Sequence, residues 1–219
     1  MSTALTEYCT VVASSTISTS NQIVANITTG GAVTNKNTNL TALTTGWVMM
    51  SPQGGGVAQS GVGSEIAPNA LGWFDDSTIL EGQQILAGNW QFTLGFELGS
   101  VGGLFIGDVH YRAFLYNGVT YTLICEATAA TQTITGTAFI SAVATVTASA
   151  SPTFATGNKL YSDTQLNITT NTTTANMRMR QSTLATIVSV NAQIVTPGFQ
   201  PAPTGSVVII GDGYGGVFT

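Results

Sequence analysis

Residues 90–98 carry the pattern that most restricts the fold of this chain. Apolar side chains occupy every second position: Trp90, Phe92, Leu94, Phe96 and Leu98. The positions between them are polar or glycine. Because successive side chains of a β-strand point to opposite faces, this alternation predicts a strand with one apolar face on a core.

A β-hairpin is predicted directly downstream. Two strand-like runs, 109–116 and 119–125, flank the dipeptide Asn117-Gly118. Both central positions of the tightest hairpin turns need positive φ, which Asn and Gly adopt readily. Further strands are predicted in four segments, the first as a strand pair or one bent strand: 131–147, 159–169, 177–190 and 206–210.

No window shows a helical period, and the sequence predicts at least seven short strands. Strand runs separated by turn residues are typical of all-β sandwiches. We therefore expect an all-β fold, a β-sandwich of jelly-roll topology with an extended N-terminal arm. Residues 1–60 are expected to form this arm or short strands with a Gly-rich loop, since apolar pulses this short cannot cover a core alone. Residues 61–219 are expected to form the sandwich and a Gly-rich C-terminal tail.

Charge is scarce throughout the sequence. Only 7% of the residues are charged, against roughly 25% in ordinary globular proteins, yet 43% are hydrophobic, which argues against disorder. The net charge is -5 and the five cations are mostly scattered, so nucleic-acid binding is not expected. Because the chain has few charges, its copies repel one another weakly, which indicates a surface that is largely covered by neighbouring molecules. A monomer solubilised by hydroxyls and amides is the alternative.

The sequence contains no membrane-span or leader pattern. No run of 18 apolar residues exists, and residues 1–16 lack the basic and apolar regions of a signal peptide. A protein made in a host cytoplasm and released within a virion fits both this and the surface-like composition. A secreted protein whose signal was removed is the alternative. Cys9 and Cys125 are too few for a disulfide framework; Cys125 is predicted to be a buried thiol, and a bridge between the two is left open.

Catalytic and cofactor chemistry is not predicted. His110 is the single histidine, and its position within a predicted strand favours a strand histidine over a member of a Ser-His-Asp triad. Asp75 and Asp76 are a weak calcium candidate, with solvated loop carboxylates as the alternative. Trp47 and Trp73 adjoin glycines in predicted loops and are candidates for a glycan-stacking platform, whereas Trp90 is predicted to lie in the core.

Segments 88–94, 109–113 and 159–168 resemble the β-sandwich virion proteins of tailed bacteriophages, namely head decoration, cement and tail-associated proteins. The resemblance covers residues 88–195 and consists of strand pattern and composition. It implies that the chain binds a capsid or tail lattice, often as a trimer, and stabilises or decorates it. The implied partners are further copies of the chain and other virion proteins.

Three hypotheses follow. The first is a non-enzymatic virion structural protein that acts through subunit contacts. The second is a jelly-roll carbohydrate-binding module or adhesin, for which a surface glycan would be the partner. The third is a glycan-cleaving enzyme, which needs two carboxylates facing across a cleft; the sequence contains acidic residues but does not single out such a pair.

Overall fold

The structure is a computed structural model in which every described element is a strand or a turn. It describes residues 4–17, 20–25, 34–37, 45–52, 63–78, 80–99, 102–172, 177–181 and 192–201. These residues contain no helix, and so none that is long and apolar enough to cross a membrane. The strands are β1 Leu5–Ala13, β2 Asn21–Ala25, β3 Thr34–Asn37, β4 Gly46–Met49, β5 Trp73–Asp75, β6 Gln83–Ile85, β7 Gly88–Leu98, β8 Phe105–Tyr116, β9 Tyr121–Thr128, β10 Gln132–Ile134, β11 Ile140–Ala148, β12 Lys159–Asn171, β13 Met177–Gln181, β14 Gln193–Thr196 and β15 Phe199–Pro201.

One large sheet contains all of these strands except β6 and β15, which pair with each other. Its ladder runs from β11 through β7, β14, β1, β2, β5, β12 and β8 to β9. Strands β2 and β5 are parallel, and the other pairings are antiparallel. The end strands β9 and β11 come within 8 Å of each other between Cα atoms, so the sheet nearly closes around its core. The prediction of an all-β fold is confirmed.

The alternating residues of β7 line this core, as the sequence predicts. All five of its apolar side chains are buried, and Trp90 is completely so. The rings of Phe92 and Tyr111 stack with their centroids 5.5 Å apart, which joins β7 to β8 through the interior. The Tyr111 hydroxyl donates a 2.8 Å hydrogen bond to the carbonyl oxygen of Ala142 on β11. This bond ties β8 to β11 near the gap between the sheet ends.

The predicted hairpin is also confirmed. Strands β8 and β9 flank residues 117–120, a turn two residues longer than predicted, and Gly118 has a φ of 94°. The 131–147 segment divides into two strands with different neighbours, because β10 pairs with β8 whereas β11 pairs with β7. Strand β12 fulfils the prediction for 159–169. Residues 182–190 and 206–210 lie outside the described residues.

The N-terminal strands belong to the same sheet as the rest. Strand β1 pairs with β14 and β2, β2 pairs with β5, and β4 pairs with β12. The ladder therefore contains β1 and β2 as internal strands, so the described part of 1–60 forms short strands of the domain and not an arm extending from it. The predicted Gly-rich tail lies outside the described residues.

Candidate functional site

A polar network occupies the outer face of β8 and β12, the face that points away from the main core. Arg112 and Asp163 are directly opposed in the β8–β12 ladder, so their side chains point to the same side. Arg112 donates through Nε to Oδ1 of Asp163 at 2.8 Å and through Nη2 to Oδ2 at 2.6 Å. Both residues are buried. Two parallel hydrogen bonds of this kind are the bidentate geometry of an ionised arginine–carboxylate pair.

Burial and pairing act in opposite directions on these two groups. Burial raises the pKa of Asp163, and the hydrogen bonds and charge of Arg112 oppose that rise. Burial alone would lower the pKa of Arg112, but Asp163 and then Glu65 raise it above its ordinary value. Removing either member would leave an uncompensated charge inside the protein.

Glu65 connects this pair to the segment 63–72, which crosses the outer face. Its Oε2 lies 3.4 Å from Nη1 of Arg112, and its Oε1 lies 3.4 Å from Nδ1 of His110. Next to it, the Ile66 amide donates to Oε1 of Gln165 at 3.1 Å, and Nε2 of Gln165 donates back to the Ile66 carbonyl at 2.6 Å. The network therefore fastens the segment to β8 and β12.

His110 lies on β8 within this network, as the strand-histidine prediction has it. Its Nδ1 is 3.1 Å from the hydroxyl of Thr128, and its ring meets Trp47 edge to face with centroids 4.4 Å apart. Burial lowers the pKa of His110, an effect that Glu65 opposes. Burial thus favours the neutral imidazole. These contacts with Thr128, Glu65 and Trp47 fix the orientation of the His110 ring.

The two tryptophans predicted to form a glycan platform lie in strands and not in loops. Trp47 is on β4 and is 7% exposed, and Trp73 is on β5 and is 1% exposed. Nε1 of Trp73 donates a 3.1 Å hydrogen bond to the side chain of Gln181. Neither ring presents an open face on which a sugar could stack, so the exposed platform predicted at these positions is not formed in the chain.

Asp75 and Asp76 do not converge on one site. Because they are consecutive at a strand end, their side chains point to opposite faces. Asp75 is buried and accepts a 2.9 Å bond from the amide of Ser77. Asp76 accepts bonds from the Ser14 hydroxyl at 3.0 Å, the Ser15 amide at 2.6 Å and the Thr16 hydroxyl at 2.5 Å. These donors lower the pKa of Asp76 against the effect of burial. The two carboxylates predicted as a calcium candidate are thus separated: Asp75 lies in the core, and Asp76 holds the loop 14–16 by hydrogen bonds. No group of three metal-ligating side chains occurs in the described ranges.

The most unusual titratable group is one that the sequence reasoning missed. Glu7, on β1, is 0% exposed, and neither carboxyl oxygen has a hydrogen-bond partner. Burial, and secondarily the nearby charge of Asp75, raises the pKa of Glu7 well above its ordinary value. The signal was present, because Leu5, Glu7 and Cys9 alternate as an inward-facing series. Cys9 and Cys125 are both buried and both free, so they form no bridge.

The outward positions of β11 carry no charge. No charged residue occurs between Glu126 and Lys159 in the sequence, and the structure describes this whole run. The outward positions of β11 are exposed hydroxyl and aliphatic side chains: Ser141, Val143, Thr145 and Thr147. Three large hydrophobic side chains are exposed in the described residues, namely Val119 at 83%, Leu123 at 47% and Val143 at 44%. All three lie on the β8–β9 hairpin or on β11.

The chain matches no known protein-family model. No curated protein matches it either. The evidence on function is therefore confined to the geometry described above.

Proposed function

We propose that this protein is a non-enzymatic structural component of a virion, which decorates or stabilises a capsid or tail lattice through contacts between subunits. The observation that carries this proposal is the uncharged run from 127 to 158, whose outward strand positions are exposed. A surface of threonine, serine, alanine and valine can be buried against a neighbour without removing any ion from water.

The position of β11 adds support. Strand β11 is at one end of the ladder, and β7 is its one partner strand among the described residues. Soluble monomers protect exposed strand edges with lysine, proline or inward-pointing charges. Strand β11 has none of these over its nine residues. Strand β9 lies within 8 Å of β11, so a neighbouring subunit would cover the outward side chains of β11, and an obligate contact typically buries more than about 2,000 Å².

The proposed topology is a jelly-roll sandwich in which the nearly closed sheet provides two apposed halves. This finer assignment agrees with strands that are distant in sequence lying next to each other, such as β1 beside β14. The carbohydrate-binding alternative loses the observation that favoured it, since Trp47 and Trp73 are both covered.

The first test is the native mass of the purified protein, measured by light scattering after size exclusion over a range of concentrations. A trimer or larger assembly is expected. The second test is cosedimentation with particles of the encoding virus from which this gene has been deleted. Saturable binding at a fixed number of copies per particle is expected. A protein that does not bind such particles, and that binds glycans on a surface array, would overturn the proposal.

A further inference from the structure

We infer that copies of this chain associate through a contact in which Arg180 of one copy meets Glu126 of another. The inference deepens the proposed function, because it rests on self-association and names the two surfaces that would meet. It comes from a charge of each sign that has no counter-ion within the described residues.

The first surface, here called the cationic surface, consists of Phe139, Arg180, Ser141 and Val143. Arg180 is opposite Gly95 in the β13–β7 ladder, and Ser141 is opposite Gly95 in the β7–β11 ladder. The guanidinium carbon of Arg180 lies 3.9 Å from the ring centroid of Phe139. The stack lies over Gly95, where a Cβ would be in ordinary contact, at 3.4 Å, with both Phe139 and Arg180.

The charge of Arg180 is not neutralised on this surface. Arg178, two residues earlier on the same face, forms an ion pair with Glu97 at 3.3 Å. Arg180 forms no ion pair with any described carboxylate, and its Nε is buried without a hydrogen-bond partner. The half-exposed aliphatic side chain of Val143 lies nearby, since it follows Ser141 by two positions on the same face of β11.

The second surface, here called the anionic surface, consists of Leu123 and Glu126 on β9. Leu123 is opposite Phe114 and Glu126 is opposite Arg112 in the β8–β9 ladder, and a bulge between them keeps both on the outer face. Arg112 does not neutralise Glu126, because its guanidinium is committed to Asp163 and Glu65. Glu126 is exposed and has no ion-pair partner among the described residues.

The two surfaces are complementary. Each combines one uncompensated charge with one exposed aliphatic side chain, and the charges are of opposite sign. Two copies of the same surface would place like charges together, so each surface fits the other. Because β9 and β11 lie side by side, two copies can make this contact reciprocally about a two-fold axis, or it can repeat from copy to copy as a ring or filament. Complementary charges would fix the register while the neutral surroundings supply the buried area.

The test is reversal of the two charges, separately and together. Arg180→Glu and Glu126→Arg each place like charges in the contact, and each is expected to weaken self-association by at least about tenfold in sedimentation velocity. The double variant R180E/E126R recreates the pair with its signs exchanged, and it is expected to recover the wild-type mass. An equimolar mixture of the single variants is expected to recover even-numbered assemblies, because the copies must alternate.

Glu81→Arg is the control for Glu126→Arg, since it makes the same change of net charge outside both surfaces, and it should leave association unchanged. Thermal unfolding checks that each variant is folded. If a reversal does not fold, the neutral variant at the same position, R180Q or E126Q, replaces it. A neutral variant is expected to weaken association less than a reversal does. Single variants that associate like the wild type, or a folded double variant that stays dissociated, would overturn the inference. A wild-type monomer that still binds particles would overturn the inference and leave the proposed function standing. A charge-dependent assembly that never binds particles would support the inference and overturn the proposed function.

Discussion

Replacing Glu7 with Met should stabilise the protein, and the gain should grow as the pH rises. The carboxyl of Glu7 lies inside the sheet without a hydrogen-bond partner, and the carboxyl of Asp75 is close enough to disfavour a second negative charge. Methionine has a similar length and no polar atom that needs a partner. The substitution therefore removes a penalty while leaving the space filled.

The magnitude has a constant part and a part that depends on pH. A neutral carboxyl buried without a partner costs about 1–3 kcal/mol, which Glu7→Met recovers at any pH. Because the folded-state pKa of Glu7 is raised above its ordinary value of 4.5, the folded protein binds the proton more tightly than the unfolded chain does. Stability from this group is complete below the ordinary pKa and is lost as the pH rises through the raised one. Between these two values each pH unit removes ~1.4 kcal/mol.

The assay is urea unfolding followed by tryptophan fluorescence at pH 5, 6, 7 and 8. The advantage of Glu7→Met over the wild type should increase by ~1.4 kcal/mol per unit in this range until the raised pKa is reached. Glu7→Gln should show the same dependence on pH without the constant gain, because its amide also lacks a partner. A Met variant that is less stable than the wild type, or an advantage that does not change with pH, would refute the reasoning.

Three further predictions concern stability and reactivity. Asp163→Ala should cost about 3–5 kcal/mol in urea unfolding, because it leaves a buried arginine with only the partly exposed Glu65 as counter-ion, whereas Glu65→Gln should cost less than about 1 kcal/mol; equal losses would contradict the assigned burial. Gly72→Ala should lower the melting temperature strongly, since its Cβ would lie 2.3 Å from a backbone carbonyl oxygen. Gly136→Ala, whose Cβ would have no atom within 4 Å, should change it little. A larger loss for Gly136→Ala than for Gly72→Ala would contradict the close backbone contact at Gly72. Burial raises the pKa of the Cys125 thiol to about 12, so a thiol-specific reagent should modify it in urea and not in buffer, and rapid modification of the native protein would refute its burial.

The parts of the fold that could be predicted are those recorded in local sequence. Strand β7 alternates over its whole length because one face meets the core, and the β8–β9 turn requires the positive φ that Gly118 supplies. Trp73 was misplaced in a loop because β5 is three residues long and follows a glycine, which gives no period to read. Whether such a segment is a strand depends on β2 and β12, which are distant in sequence.

The site was less predictable for the same reason. Glu65, Arg112 and Asp163 lie in three separate regions of the chain, and only the β8–β12 register brings the latter two face to face. The sequence analysis noted the low overall charge but did not place the run without ions, 127–158, on one surface. Which side chains of this run point outward, and which two charges border it, depend on the strand pairings.

The pairing of β1 with β14 has a consequence for synthesis. Leu5 is opposite Thr196, and β14 is the strand that lies between β1 and β7. Until residues 193–196 leave the ribosome, β1 and β7 each lack the neighbour that β14 provides, although all other strands from β1 to β13 are already made. The sheet therefore cannot close during most of translation, and closure must wait for a contact across nearly the whole described chain. Pairings of such long sequence separation form slowly, so the nascent protein would expose two uncovered strand edges for longer than a domain built from adjacent hairpins does.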